Sequence, residues 1–196
     1  QLKGIHLADS IILDPHKGLF LPYGLGIVIV KDVKYLLAAN NFDANYMQDA
    51  FNADEELSPS QLSPELSRHF RGLRMWLPLK LHGIKPFAAN LEEKLLLTRY
   101  FYEKVKELGF QTGPWPDLSV VTFWYEPANG NANDFNRKIV AQIQNDGRLF
   151  ISSTTINNRF LLRFAALSFR THLQHVNLLL EQLEDALRIL QKSSNH

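Results

Sequence analysis

Cysteine is absent from all 196 residues, which excludes disulfides and thiolate metal sites and suits a reducing cytosol. An excess of one charge is missing too. Lysine and arginine total 21 against 20 aspartates and glutamates, a net charge of +1, so the basic field of a nucleic-acid binder is lacking. No apolar run approaches the roughly 20 residues that cross a bilayer, and no signal sequence is visible. No Ser/His/Asp arrangement, phosphate-cradling glycine loop or metal motif stands out. What is present is 45% apolar residues, enough for a real core in one large domain or two small ones.

The stretch ADSIILDPHKGLFLPYGLGIVIVK, residues 8–31, organises the reading. Its two apolar, β-branched runs, 10–13 and 26–30, read as buried strands flanking a turn that carries Asp14, His16 and Lys17. Lysine is ordinarily a surface residue, because burying its ammonium is costly unless it is paired or deprotonated. At the end of a core strand, desolvation and neighbouring cations lower its pKa and yield a neutral amine able to condense with an aldehyde. His16 beside it offers a hydrogen-bond donor for an anion, or a proton relay. Spacing alone leaves open an ordinary polar turn, since Asp-Pro-His is common turn chemistry.

The residue identities add more. Asp14-Pro15-His16-Lys17, preceded by Ala8-Asp9-Ser10, resembles the Schiff-base lysine segment of the pyridoxal-phosphate-dependent group II amino-acid decarboxylases. Two further blocks match in the same order, RHFRGLRMWLPLKLHG at 68–83 and FLLRFA at 160–165. The resemblance implies the fold class α/β: the tail of a fold-type I, aspartate aminotransferase-like large domain that binds pyridoxal 5'-phosphate, then a small C-terminal α/β domain with a mainly antiparallel sheet. It implies Lys17 as the residue bonded to the cofactor, His16 beside it, and Asp14 where many members have an asparagine near the phosphate. Ser10 is a further cofactor-binding candidate, with a hydroxyl bonded to backbone as its alternative. Because the family's lysine comes well past the middle of its polypeptide, the expectation is a C-terminal part of such an enzyme.

Along the chain, residues 33–39 read as a short helix with Asp32 as its N-cap. From Tyr46 to Ser67 the composition turns acidic and serine-rich with two prolines, the signature of a long loop or lid. In the resembled family a mobile loop here carries a tyrosine that protonates the carbanion. No tyrosine lies between Met47 and His69; Tyr46 stands at the loop's start, and Phe51 is the only aromatic within it. Ser63 with Pro64 suggests a short helix start. Residues 70–82 read as an amphipathic helix interrupted near Pro78, and its basic residues as solvated or ion-paired helix positions, with Arg71 or Arg74 structural at a subunit interface. A long helix follows over 87–108, its apolar stripe running through Phe87, Leu91, Leu95, Tyr102 and Val105 and closed by Gly109. Beyond it come strands at 118–125, 149–152 and 160–167 and helices at 132–145 and 172–190. The domain reading is therefore 1–46 for the end of the cofactor domain, 47–67 for the lid, 68–109 for connecting helices and 110–196 for the small domain.

Strand alternation puts Leu161, Arg163 and Ala165 on one face. Arg163 faces either solvent or a polar cleft where its planar fork holds a carboxylate. By resemblance it aligns with an arginine that grips the substrate α-carboxylate. His172 and His175 have metal-ligand spacing but no carboxylate partner nearby in sequence, and a solvated helix end is the favoured reading. The functional expectation is decarboxylation of an L-amino acid to its amine and carbon dioxide, by a cytoplasmic homodimer that needs no metal, nucleic acid or membrane. Two alternatives stand beside it: a catalytically inactive module for dimerisation, and aldehyde-synthase or transaminase chemistry on the same cofactor.

Overall fold

A computed structural model describes residues 2–40 and 57–193. The chain divides into two compact units, Gln1–Gly83 and Ile84–His196. The first part of the expected lid, 47–56 with Phe51, lies outside the described residues, as does Tyr46 before it.

In the first unit, β1 (Ser10–Leu13) and β2 (Ile27–Val30) form an antiparallel ribbon in which Ile11 faces Ile29 and Leu13 faces Ile27. The β-branched residues make strands as expected. They are not buried, however: Ile12 is 73% and Val28 59% exposed. Two strands alone leave much of a ribbon open, and among the described residues no third strand joins them. A short helix, α1 (Lys34–Asn40), follows, and the Asp32 carboxylate accepts from the Lys34 amide at 3.0 Å as an N-cap does. The serine–proline start occurs one motif earlier than expected. Ser58 caps a 3-10 turn at Pro59–Gln61 in a reciprocal capping box with Gln61, while residues 63–70 stay irregular. The helix α2 (Leu73–His82) contains Pro78 and buries none of its residues.

The second unit has a continuous core. Its helices α3 (Lys85–Glu107), α4 (Ala132–Asp146) and α5 (Leu173–Ser193) accompany a four-stranded antiparallel sheet in the order β3-β4-β6-β5. The strands are β3 (Gln111–Thr112), β4 (Val120–Trp124), β5 (Ser152–Ile156) and β6 (Arg159–Ala165). Alternation works as anticipated in β4 and β6, where Val121 pairs with Phe164 and Phe123 with Leu162. All four of these side chains are buried with Ile139, Val176 and Leu183 from the helices. The expected strand at 149–152 is displaced to β5, an outer strand of the sheet whose Ser-Ser-Thr-Thr run has no apolar alternation to announce it.

The boundary placed at Gly109 lies inside this unit, because α3 delivers Leu97, Phe101 and Val105 into the core. Pro86 opens α3, and Gly109, at φ +87°, follows its end. The buried face differs from the expected stripe. It runs through Phe87, Lys94, Leu97, Thr98, Phe101 and Val105, leaving Leu91 exposed. The helix packs against both the sheet and α5, and these neighbours select the face.

One polar side chain ties α4 to the sheet. Asn136, 1% exposed, accepts from the Tyr125 amide at 2.8 Å and donates to the Tyr125 carbonyl at 2.8 Å and the Ala132 carbonyl at 2.7 Å. Asn136→Ala leaves both Tyr125 backbone groups without this partner and is expected to destabilise the second unit by about 2 kcal/mol. Urea unfolding followed by the fluorescence of Trp115 and Trp124 measures it.

Candidate active site

The turn between β1 and β2 has a small core of its own. Pro15, Leu21 and Leu25 are buried, and the Leu21 amide donates to the Pro15 carbonyl at 3.3 Å. The Lys17 amide donates to the Asp14 carbonyl at 3.0 Å, closing a four-residue turn with proline in its second place, where a fixed φ is favourable. Phe20 takes φ +45°, an uncommon value for a bulky residue.

This local geometry brings the two ends of the turn together. The Lys17 ammonium donates to Asp14 Oδ2 at 2.7 Å, with the two side chains 57% and 42% exposed. The amine is therefore solvated and paired within this chain, where sequence reasoning placed it in a desolvated site. Its pKa is raised, chiefly by the Asp14 hydrogen bond, instead of lowered, and the Lys17 hydrogen bond holds the Asp14 carboxyl below its usual range.

His16 is half-buried, and its Nδ1 lies 3.0 Å from the Leu25 carbonyl. A carbonyl only accepts, so Nδ1 carries a proton and Nε2 is the nitrogen left to exchange one. The Tyr23 ring lies 4.7 Å away, tilted by 56°.

Arg74 of α2 holds the far side of the turn. Its Nη1 donates to the Tyr23 carbonyl at 2.8 Å and the Gly24 carbonyl at 3.1 Å. Gly24 sits at φ +82°, a conformation that favours glycine, and a Cβ there would come within 2.6 Å of Nη1 and displace the end of the Arg74 side chain. Sequence reading named Arg74 only as a structural residue and did not connect it with this turn, 50 and 51 positions away. Arg71 is ion-paired, as the sequence reading favoured: it pairs with Glu65, with Nη2 to Oε1 at 3.0 Å. Arg68 donates to the carbonyls of Pro59 and Glu65. An open cavity of about 930 Å³ is lined by Gly26, Ser58, Ser67, Arg68 and His69 among others.

The other candidates are carried by other elements. Ser10 is exposed at the start of β1 opposite Val30, roughly 13 Å of extended strand before Asp14. Arg163 belongs to the second unit, half-buried on the sheet face opposite Leu162 and Phe164. Its Nη1 donates to Ser152 Oγ at 3.2 Å, and that hydroxyl donates to the Arg163 carbonyl at 3.4 Å. His172 has a carboxylate partner after all, Glu93 Oε1 at 2.7 Å, contributed by a residue 79 positions away.

Residues 1–126 match the pyridoxal-dependent decarboxylase conserved domain. The aromatic-L-amino-acid decarboxylase of Bacillus atrophaeus is 32% identical over 179 residues, covering 87% of this chain and 37% of that protein. Tyrosine decarboxylase 2 of Arabidopsis thaliana is 28% identical over 99% of this chain and 35% of its own length. The chain thus spans little more than a third of these relatives. Among solved structures, Oryza sativa TDC with PLP and tryptamine superposes with a TM-score of 0.90 at 21% identity, over 97% of this chain and 41% of that one. Catharanthus roseus tryptophan decarboxylase in complex with L-tryptophan gives 0.82 at 24% identity, over 98% and 39%. These likenesses establish the fold, that of the fold-type I pyridoxal-phosphate decarboxylases. With a match that covers well over half of its length, the chain belongs to the pyridoxal-dependent decarboxylase family.

Proposed function

We propose that this chain is part of an enzyme that decarboxylates an L-amino acid to its amine and carbon dioxide, with Lys17 as the covalent anchor for pyridoxal 5'-phosphate. The observation that carries the reading is the display of a reachable primary amine on a braced turn, inside the segment that matches the family. The residues present fit the group: Lys17 supplies the amine, and His16 supplies a ring held in place by Leu25. Bound there, the cofactor supplies an electron sink for the pair released when the bond to the carboxylate carbon breaks.

The remaining tasks fall to the chain's own side chains. His16 orients the cofactor and has Nε2 available to hold or pass a proton. Arg163 has a planar fork suited to a substrate carboxylate, once that carboxylate displaces Ser152 as its partner. Asp14 and Ser10 complete the cofactor-binding set. The names of the relatives favour an aromatic side chain on the substrate, and the working enzyme is a cytoplasmic homodimer.

A second reading, aldehyde formation, is favoured by the lack of tyrosine between Met47 and His69. Incubation with pyridoxal phosphate followed by borohydride is expected to leave a reduced adduct on Lys17, detected by peptide mass and absent in Lys17→Ala. An adduct that persists in Lys17→Ala overturns the anchor assignment. Among products, amine with carbon dioxide supports decarboxylation, and aldehyde supports the second reading.

A further inference from the structure

Asp14 is a carboxylate next to an amine whose proposed task is to attack a carbonyl. That placement is unexpected for a bystander. An ammonium has no lone pair, so a counter-ion that holds Lys17 charged works against condensation. The turn favours the contact: positions one and four are closed by the Lys17 amide to Asp14 carbonyl bond, and the side chains meet at 2.7 Å.

We propose that Asp14 gates carbonyl capture at Lys17: its carboxylate tethers the ammonium at the turn, and the pair must open before the nitrogen attacks. This inference deepens the anchor assignment and rests on it for its biological meaning. Once the pair opens and the ammonium gives its proton to solvent, the nitrogen lone pair bonds to the aldehyde carbon. The carbonyl oxygen then leaves as water with the two remaining amine protons, so a C=N bond replaces C=O and no redox partner is needed. The directions of titration agree, with Lys17 raised and Asp14 lowered, each mainly through the other. The other titratable groups acting on the pair are Tyr23, which also favours the charged lysine, and His16, which also favours the charged aspartate. Asp14 is thus a positioning residue for the amine, and its release is part of loading.

Reductive methylation tests this independently of any cofactor. The chain is treated with formaldehyde and cyanoborohydride across a pH series, and modification of Lys17 is read by peptide mass relative to Lys85 and Lys138. Asp14→Asn is expected to raise the relative rate at Lys17 roughly threefold near neutral pH, the scale of an exposed ion pair, and to move its pH profile to lower pH. Added salt should speed Lys17 in the parent chain and not in Asp14→Asn. Asp14→Glu, which keeps the charge, should restore the slow rate. An unchanged rate in Asp14→Asn, or a rise that Asp14→Glu shares, overturns the gate. A parallel incubation with pyridoxal phosphate and borohydride separates the two assignments. Methylation as expected without cofactor adduct on Lys17 leaves the gate standing and removes the anchor, and the reverse pattern removes the gate alone.

Discussion

Replacing Phe101 by alanine is expected to destabilise the second unit by about 4 kcal/mol. The ring is 0% exposed, stacked on Phe164 at 4.2 Å and 19°, and edge-on to Phe123 at 5.2 Å and 71°. Those partners sit on β6 and β4, the central pair of the sheet, so the cavity would open where helix and sheet meet. Aromatic geometry adds to the area term, since such pairs contribute about 0.5–1.5 kcal/mol beyond burial. Phe101→Leu, which keeps most of the volume, should cost less than about half as much. Urea midpoints of the two variants give the comparison, and equal midpoints would contradict a packing role for the ring.

Lys94→Met is expected to have the next largest effect, about 3 kcal/mol, although it retains the length of the side chain. Lys94 is 1% exposed. Its ammonium donates to Glu93 Oε2 at 2.7 Å, Thr171 O at 2.5 Å and Phe169 O at 3.4 Å, fastening α3 to the segment that leads into α5. Methionine leaves these two carbonyls and the carboxylate without their cation.

A pH dependence accompanies the loss. Glu93 is held below the ordinary glutamate range, first by the His172 hydrogen bond and then by that of Lys94. A depressed carboxyl stabilises the fold above its unfolded-state pKa, and the contribution disappears as pH falls through the folded value. Removing the Lys94 donor raises that folded value, so Lys94→Met should lose stability at a higher pH on the acid side than the parent chain. Urea midpoints across the acid range measure both effects.

Local chemistry was legible where one residue decides an outcome. Asp32 caps α1 by accepting from the Lys34 amide at 3.0 Å, and Gly109 follows the end of α3 at φ +87°, both as cap and stop signals require. Asp14-Pro15-His16-Lys17 announced a turn, and it is one. The sense of the electrostatics at Lys17 was not legible. The desolvated amine expected from an apolar context became a solvated, paired ammonium, because the flanking strands form an open ribbon within this chain. Likewise, Lys94 and Arg99 carry the same kind of charge, and nothing in α3's own sequence says which of them is buried.

By itself the sequence determined the family, the strands β1 and β2 with the turn between them, the alternation of β6, the cap at Asp32 and the helix end at Gly109. Each of these depends on backbone preferences or on side-chain periodicity within a few neighbours. Tertiary structure alone decided which face of α3 is buried, that Arg74 braces the Tyr23–Gly24 carbonyls 50 and 51 residues away, and that Glu93 joins His172 across 79. Such contacts leave no periodic trace in the chain, because they come from what the packed surfaces bring together and not from the local geometry of either partner.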